Sequence, residues 1–270
     1  MIVSRRPGTA LKPFVELLWA SDPASSAVGP SRRELVLPTG AAHIAIRLGD
    51  RPLRLFAHAN DAVGHTVGCA TVSGARACAY IKDVSDPAPT VGILLRPGAA
   101  QFVVGVPADE FAGAHTPLDA LWGPAASALR DRLGEAASAD VRLDIVEAAL
   151  TAKVRQIRGI HPAIADALVH LGNAGDVGRI VARTGHSHRH FIKLFSEAVG
   201  LTPKLYGRVV RFGRVLERLS TEPAASWADV AAAAGYADQP HFNRNFREFT
   251  GISPDRYRRL AAGSAHHVPL

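Results

Sequence analysis

Two short groups of side chains invite a chemical reading. The first is Ser187, His188, Arg189, Ile192, Lys193 and Ser196; the second is Gln239, His241, Asn243, Arg244 and Arg247. Guanidinium, ammonium, amide, imidazole and hydroxyl groups carried along one side of a helix can hydrogen-bond to base edges and to phosphate oxygens. Both groups lie inside one internal duplication.

Phe191, Phe195, Gly200, Thr202, Pro203 and Tyr206 recur as Phe242, Phe246, Gly251, Ser253, Pro254 and Tyr257, each 51 positions later. Lys193 and Arg244, and Glu197 and Glu248, fall on the same offset. A fixed period of this size is one supersecondary unit used twice. In the first copy Asp176 caps a helix with apolar Val177, Ile180 and Val181, and Gly185 ends it. Ser187 starts a second helix that buries Phe191, Leu194, Phe195 and Ala198 and turns Arg189, Ile192, Lys193 and Ser196 outward. In the second copy Ser226 caps a helix through Val230, Ala231 and Ala234, and Gly235 breaks it. Asp238 caps the next helix, with Pro240 in its first turn and Phe242, Phe246 and Phe249 buried. Two helices joined by a short glycine-containing turn form a helix-turn-helix, whose second helix can enter a DNA major groove. Between the copies, Pro203 to Leu219 forms one long helix with Arg208, Arg211, Arg214 and Arg218 along it; the expected contacts of Arg208, Arg211 and Arg218 are phosphates or solvent rather than bases.

The stretch from about Ile160 to Leu260 resembles the DNA-binding domain of the AraC/XylS family of bacterial transcription regulators. The resemblance rests on Gly235-Tyr236-Ala237-Asp238-Gln239, His241-Phe242, Arg244, Phe246, Gly251, Pro254, Tyr257 and Arg258. It implies a transcription regulator, not an enzyme, with double-stranded DNA, RNA polymerase, a small-molecule effector and a second copy of the chain as expected partners. Asn245, where the first copy has Leu194, and Ile192, apolar where many relatives are polar, depart from the pattern and are expected to alter which bases are read.

Length and charge agree with this. The 270 residues suffice for two domains, each with a core. The net charge is +7, of which residues 161–270 contribute +5 (14 Lys and Arg against 9 Asp and Glu) and residues 1–160 contribute +2 (17 against 15). A basic excess concentrated on one domain is the electrostatic footprint of a nucleic-acid binder. No apolar run is long enough to span a bilayer and residues 1–8 lack a signal-peptide core, so the expected location is the cytoplasm and no membrane partner is expected.

The elements that must carry the helical repeat begin with a small β-rich region. Leu11, Phe14, Val15, Leu18 and Trp19 have helical spacing and predict a short amphipathic helix. Strands are predicted at Glu34–Leu37, His43–Leu48, Leu53–His58, Val67–Ser73, Ala75–Val84 and Thr90–Leu95. Helices follow at Gly98–Val104, Leu118–Trp122, Pro124–Leu133 and Val141–Ile157. The fold class is therefore α+β: a sensor or dimerisation domain over residues 1–158, barrel-like with packed helices, and an all-α DNA-binding domain over 160–262. Leu37-Pro38-Thr39-Gly40, with Val91–Gly98 and Pro117–Gly123, is similar to a module often attached to AraC-type domains. Where such modules carry an acidic residue after Leu-Pro, this chain has Thr39, with His43 following, so no ligand chemistry is carried over. Trp19, Phe56, Tyr80, Phe102, Phe111 and Trp122 are candidates to line an apolar pocket in this region.

Other chemistries find less support. His43, His58 and His65 lack the His-x-His and following Glu that a metal-binding cupin shows, and His186, His188 and His190 begin a helix without needing to converge, so neither a metal nor a cofactor is expected. An enzyme or alkyl-accepting repair protein with an accessory DNA-binding domain would need an activated cysteine. Cys69 and Cys78, the two cysteines, have no such neighbours in sequence. If Ser73-Gly74 makes a two-residue hairpin turn, Cys69 faces Cys78 across the strands, within reach of a reducible disulfide.

Overall fold

The computed structural model describes residues 2–23, 32–154, 159–172, 175–261 and 265–270. Nine strands come first: β1 (Ile2–Arg5), β2 (Val15–Ser21), β3 (Arg33–Val36), β4 (His43–Arg47), β5 (Arg54–Phe56), β6 (His65–Thr66), β7 (Ala70–Ser73), β8 (Tyr80–Asp83) and β9 (Thr90–Leu95). Helix α1 (Ala100–Val104), a 3-10 turn at Ala108–Phe111, strand β10 (His115–Pro117) and helices α2 (Leu118–Trp122), α3 (Pro124–Gly134) and α4 (Ala139–Val154) follow. The helical region comprises α5 (Pro162–Gly172), α6 (Val177–Thr184), α7 (His188–Val199), α8 (Pro203–Thr221), α9 (Trp227–Ala233), α10 (Gln239–Thr250) and α11 (Pro254–Leu260), and a last strand, β11 (His267–Pro269), comes after it.

The strands form two antiparallel sheets, ordered β1-β2-β9-β4-β7-β10 and β11-β3-β8-β5-β6. Period-two alternation gives the first sheet two different faces. Leu18 and Ala20 on β2, Ile44 and Ile46 on β4, Val72 on β7 and Val91, Ile93 and Leu95 on β9 pack into a core with Val103, Leu129, Leu133, Leu143, Val146 and Leu150 of the adjoining helices. Their neighbours Leu17, Trp19, His43, Ala45, Thr71 and Leu94 face the other way and line a cavity closed by the second sheet. Gly92 is required on that face: a Cβ there would lie 1.9 Å from the indole of Trp19, its cross-strand partner.

The sequence-predicted strands at 34–37, 43–48, 53–58 and 90–95 appear with bounds shifted by at most two residues at either end, and the four N-terminal helices are present; residue 157, the predicted end of the fourth, lies outside the described residues. The predicted helix at Leu11–Trp19 is replaced by a turn running into β2. A bulge between Val15 and Leu17 puts Val15 and Leu18 on the same buried face, three apart, and so imitates a helical spacing. The long strand expected at Ala75–Val84 is only Tyr80–Asp83, and it belongs to the second sheet. Ser73-Gly74 is accordingly no hairpin turn. Ser73 pairs with His43 and His115, and the chain crosses between sheets with Gly74 so close to the carbonyl of Phe111 that a Cβ would sit 1.9 Å from its oxygen. Cys69 and Cys78 are therefore not cross-strand neighbours; both are free thiols, and the redox reading falls.

The helical region is not packed as a separate ball. Leu35, Phe56 and Ile81 of the second sheet, with Leu37 just after β3, join Phe195, Tyr206, Phe212, Phe246 and Phe249 in one continuous buried cluster. The amide of Ala79, in the crossover, donates to the carbonyl of Phe249 at 2.7 Å. Helix α7 rests against the 3-10 turn and α1, where a Cβ on Gly200 would come within 3.0 Å of the Ala108 carbonyl oxygen. Strand β11 pairs antiparallel with β3, Val268 opposite Leu35, so the segment following α11 becomes part of the second sheet. Among the described residues no helix is long and apolar enough to cross a membrane.

Candidate nucleic-acid interface and cavity

The two helix-turn-helix units form because local signals at both ends of each helix agree. Asp176 and Ser226 cap α6 and α9, and Ser187 and Asp238 cap α7 and α10; in each case the side-chain oxygen accepts from the amide three residues on, at 2.7–3.3 Å. Gly185 ends α6 and Gly200 and Gly251 end α7 and α10, all left-handed, where glycine carries no Cβ penalty. The caps Asp176 and Ser226 lie 50 positions apart, but Ser187 and Asp238 lie 51 apart, so the linkage in the second copy is one residue longer.

The sequence repeat is also a packing repeat. Phe195 meets Tyr206 edge-on with ring centroids 5.7 Å apart, and Phe246 meets Tyr257 at 5.5 Å. Phe191–Phe195 and Phe242–Phe246 are adjacent at 6.0 and 5.6 Å. Helix α8 contributes Phe212, whose ring touches both Phe246 and Phe249, and Trp227 of α9 stacks on Phe242 at 5.7 Å.

With those faces buried, the opposite faces carry the candidate contacts. Ser187, His188, Arg189 and Lys193 on or beside α7, and Gln239, Arg244 and Arg247 on α10, are exposed. Ile192, Ser196, His241 and Asn243 are half-buried, His241 because its ring leans edge-on against Tyr236 at 5.4 Å. Ser187 has a second duty as the α7 cap, and Lys193 lies 3.6 Å from Glu197 one turn on, an exposed pair of little energetic weight. His186 and His190 meet edge to face with ring centroids 5.0 Å apart, and among the described residues no three His, Cys, Asp or Glu side chains are grouped to hold a metal.

Asn245 is not on this surface. It is 6% exposed, and its Oδ1 accepts from Nε and Nη2 of Arg208 at 3.2 and 3.1 Å while its Nδ2 donates to the carbonyl of His241. Arg208 also pairs with Glu248 and lies over the Phe249 ring. Asn245 is buried away from the exposed face of α10. The two residues strap α8 to α10, which corrects the expectation that Asn245 alters base reading; the Arg208 side chain stays 29% exposed to solvent.

The cavity between the sheets is the second place where polar groups converge, and sequence patterning had not assembled it. It has a volume of about 460 Å³, and Arg76, His43, His115, Tyr80, Lys82, His266 and His267 line it together with apolar side chains. Of the six aromatic residues expected to line a pocket, only Trp19 and Tyr80 do. Phe56 and Phe111 are core, Phe102 packs on Phe14, and Trp122 donates to the Val104 carbonyl at 3.2 Å. Burial, reinforced by the Arg76 cation, pushes both His43 and His115 down to about 3, so both rings are neutral at pH 7. Burial alone would raise the Glu34 carboxyl, but its hydrogen bond with His267 and the charge and hydrogen bond of Lys82 hold it down at about 2.

Residues 180–260 match the family model described as a helix-turn-helix domain, and residues 4–117 match that of a domain of unknown function (DUF6597). Among curated proteins, the chain is 34% identical over 104 residues to the HTH-type transcriptional regulator Rv1931c of Mycobacterium tuberculosis, across 34% of this chain and 37% of that protein. The chain thus matches little more than a third of the length of that relative. Among solved structures it is similar to the C-terminal domain of AraT, a response regulator from Geobacillus stearothermophilus. The two are 21% identical, 40% of this chain and 94% of that one are covered, and the TM-score is 0.34. Similarity to ToxT from Vibrio cholerae O395 extends over 87% of this chain and 97% of that one, at 11% identity and a TM-score of 0.45.

Two outcomes follow from these environments. Asn245→Leu, which installs the side chain of the first copy, leaves Arg208 short of its buried acceptor and should cost about 1–3 kcal/mol of stability, measured by urea unfolding, with base preference at selected DNA sites unchanged. His43 and His115 have folded pKa values below the unfolded 6.5, so the unfolded chain binds the extra protons and stability is lost as pH falls below about 6.5 toward 3. Unfolding midpoints measured from pH 7.5 to 5 should drop, with each histidine contributing at most about 1.4 kcal/mol per pH unit; His115→Phe should flatten the slope.

Proposed function

We propose, for a chain whose residues 180–260 match a helix-turn-helix domain, that the whole protein is a sequence-specific DNA-binding transcription regulator of the AraC type. The observation that carries this reading is the pair of capped helices α7 and α10, each seated by two phenylalanines and a tyrosine and each exposing a basic, hydrogen-bonding face. Ser187, His188, Arg189, Ile192, Lys193 and Ser196 form the first reading surface, and Gln239, His241, Asn243, Arg244 and Arg247 the second. Arg189 and Arg244 are the strongest base readers of the set, because an exposed guanidinium can bond bidentately to guanine. Helix α8, 19 residues long, spans about 28 Å at 1.5 Å per residue and holds the units apart. The two helices then enter successive major-groove segments on one face of the duplex, about 10 base pairs apart.

In this reading residues 1–158 sense an effector and residues 160–262 bind DNA. The protein acts in the cytoplasm without a cofactor or catalytic step, and a second copy of the chain and RNA polymerase are its further partners. The match of residues 4–117 to a domain of unknown function leaves the sensing role to rest on the cavity.

Gel-shift titration against selected and random duplexes tests the assignment. Arg189→Ala and Arg244→Ala should each weaken specific binding by about 1–3 kcal/mol and relax preference at one position of the site. Footprinting of the full chain should show two protected groove segments on one face. Equal affinity for random and selected DNA would sink the proposal, and protection of a single groove would remove tandem reading.

A further inference from the structure

Both reading helices are seated on the β-rich region by their C-terminal ends. Gly200, which ends α7, lies against the 3-10 turn, where an added Cβ would be 3.0 Å from the Ala108 carbonyl oxygen. In the last turn of α10 the Phe249 carbonyl, one of the four that a helix leaves without an internal partner, accepts from the Ala79 amide at 2.7 Å. The two seats are joined to each other. The Gly74 amide donates to the Ala114 carbonyl at 3.0 Å, the Gly113 amide to the Ala75 carbonyl at 2.9 Å, and Arg76 adds a side-chain bond to the Ala114 carbonyl at 3.1 Å. The opposite ends of the two helices stay clear, with Ser187, His188 and Arg189 exposed on the first and Gln239 and Arg244 on the second.

A further link reaches the second unit from its other side. Tyr257 of α11 packs on Phe246 of α10 with 5.5 Å between ring centroids, and its hydroxyl donates to the Ala265 carbonyl at 2.9 Å. From there the chain enters β11, a strand of three residues, too short to hold its place by pairing alone. Side chains and flanking bonds hold it. Val268 is fully buried in the core that both halves share, and His267 pairs with Glu34, which also holds Lys82. The Leu37 amide donates to the His266 carbonyl at 2.9 Å and the Leu270 amide to the Arg33 carbonyl at 3.0 Å, one bond on each side of the strand. The second unit is thereby tied to the β-rich region at two places, through Phe249 and through β11.

We propose that the 265–270 segment is a positioning element for DNA reading: with the seats at Ala79 and Ala108 it fixes the angle of α10 relative to α7, so that the chain accepts one spacing of the two groove segments and rejects others. Helix α8 by itself leaves this angle free. It meets α10 through Phe212 and Arg208, a contact about which a unit of three short helices can tilt, and the attachment at Tyr257, on α11, removes the tilt. The inference rests on the reading of α7 and α10 as tandem readers and adds what sets their spacing.

The test compares two duplexes by gel-shift titration, the selected site and the same site with two base pairs added between its groove segments. Two added base pairs swing the second groove about 70° around the duplex. The parent chain should bind the altered duplex at least about tenfold more weakly. Deletion of residues 265–270 should weaken binding to the selected site and shrink the ratio between the duplexes to about threefold or less. A segment that only stabilised the fold would lower both affinities together, so an unchanged ratio overturns the proposal. Tighter binding of the selected site by the deletion variant also overturns it, because the segment would then hold α10 out of register. If the deletion variant does not fold, Tyr257→Phe decides: it keeps the ring on Phe246, removes the bond to Ala265, and should lower the ratio at least about twofold. A parent chain that binds both duplexes alike would remove tandem reading and this proposal with it, whereas a parental ratio that persists in the variant removes this proposal alone.

Discussion

The helical half of the molecule depends on one contact made twice, the edge of a phenylalanine against a tyrosine that opens the following helix. Phe195–Tyr206 and Phe246–Tyr257 fix the roll of α7 and α10 about their own axes. Each phenylalanine also has a partner four residues earlier, and burying one such ring contributes about 1.5–3 kcal/mol, so a rotation that exposed the pair would lose more than any surface contact could restore. The outward faces follow from that constraint. Arg189, Lys193, Arg244 and Arg247 are exposed because the phenylalanines beside them are not.

This explains how much could be understood before the fold was known. Caps and left-handed glycines act within four residues, and the i, i+4 phenylalanines declare a buried face, so α6, α7, α9 and α10 were legible from the sequence alone. The β-rich region was harder for a physical reason. A bulge changes strand periodicity from two to three, which is how Val15 and Leu18 imitated a helix. A chain that leaves one sheet for another looks, in sequence, like a chain that turns back, which is how Ser73-Gly74 passed for a hairpin. Asn245 was misassigned because a polar residue at an apolar repeat position signals a change of partner without naming it; here the partner is Arg208, inside the chain.

The cavity was illegible for a different reason. Arg76, His115 and His266 are separated by long stretches of chain and share no spacing, and only the pairing of β7 with β10, together with that of β3 with β11, brings them to one space. Strand β11 has three residues and no periodicity from which it could be inferred. Its position is set by tertiary groups: Val268 is fully buried, and His267 pairs with Glu34, which also holds Lys82.

These same groups connect the two sites through packed atoms. Tyr257, the tyrosine that seats Phe246 of α10, donates its hydroxyl to the carbonyl of Ala265 at 2.9 Å. His266 follows immediately, bonded through its backbone to Leu37, and both residues line the cavity. From the cavity wall to α10 the contacts run through His266, Ala265, Tyr257 and Phe246. Contiguity alone does not establish coupling. It does locate where coupling would have to act: a ligand that favours one position of the 265–270 segment works against the phenol that sets the roll of α10, and only through its difference in affinity for the two positions.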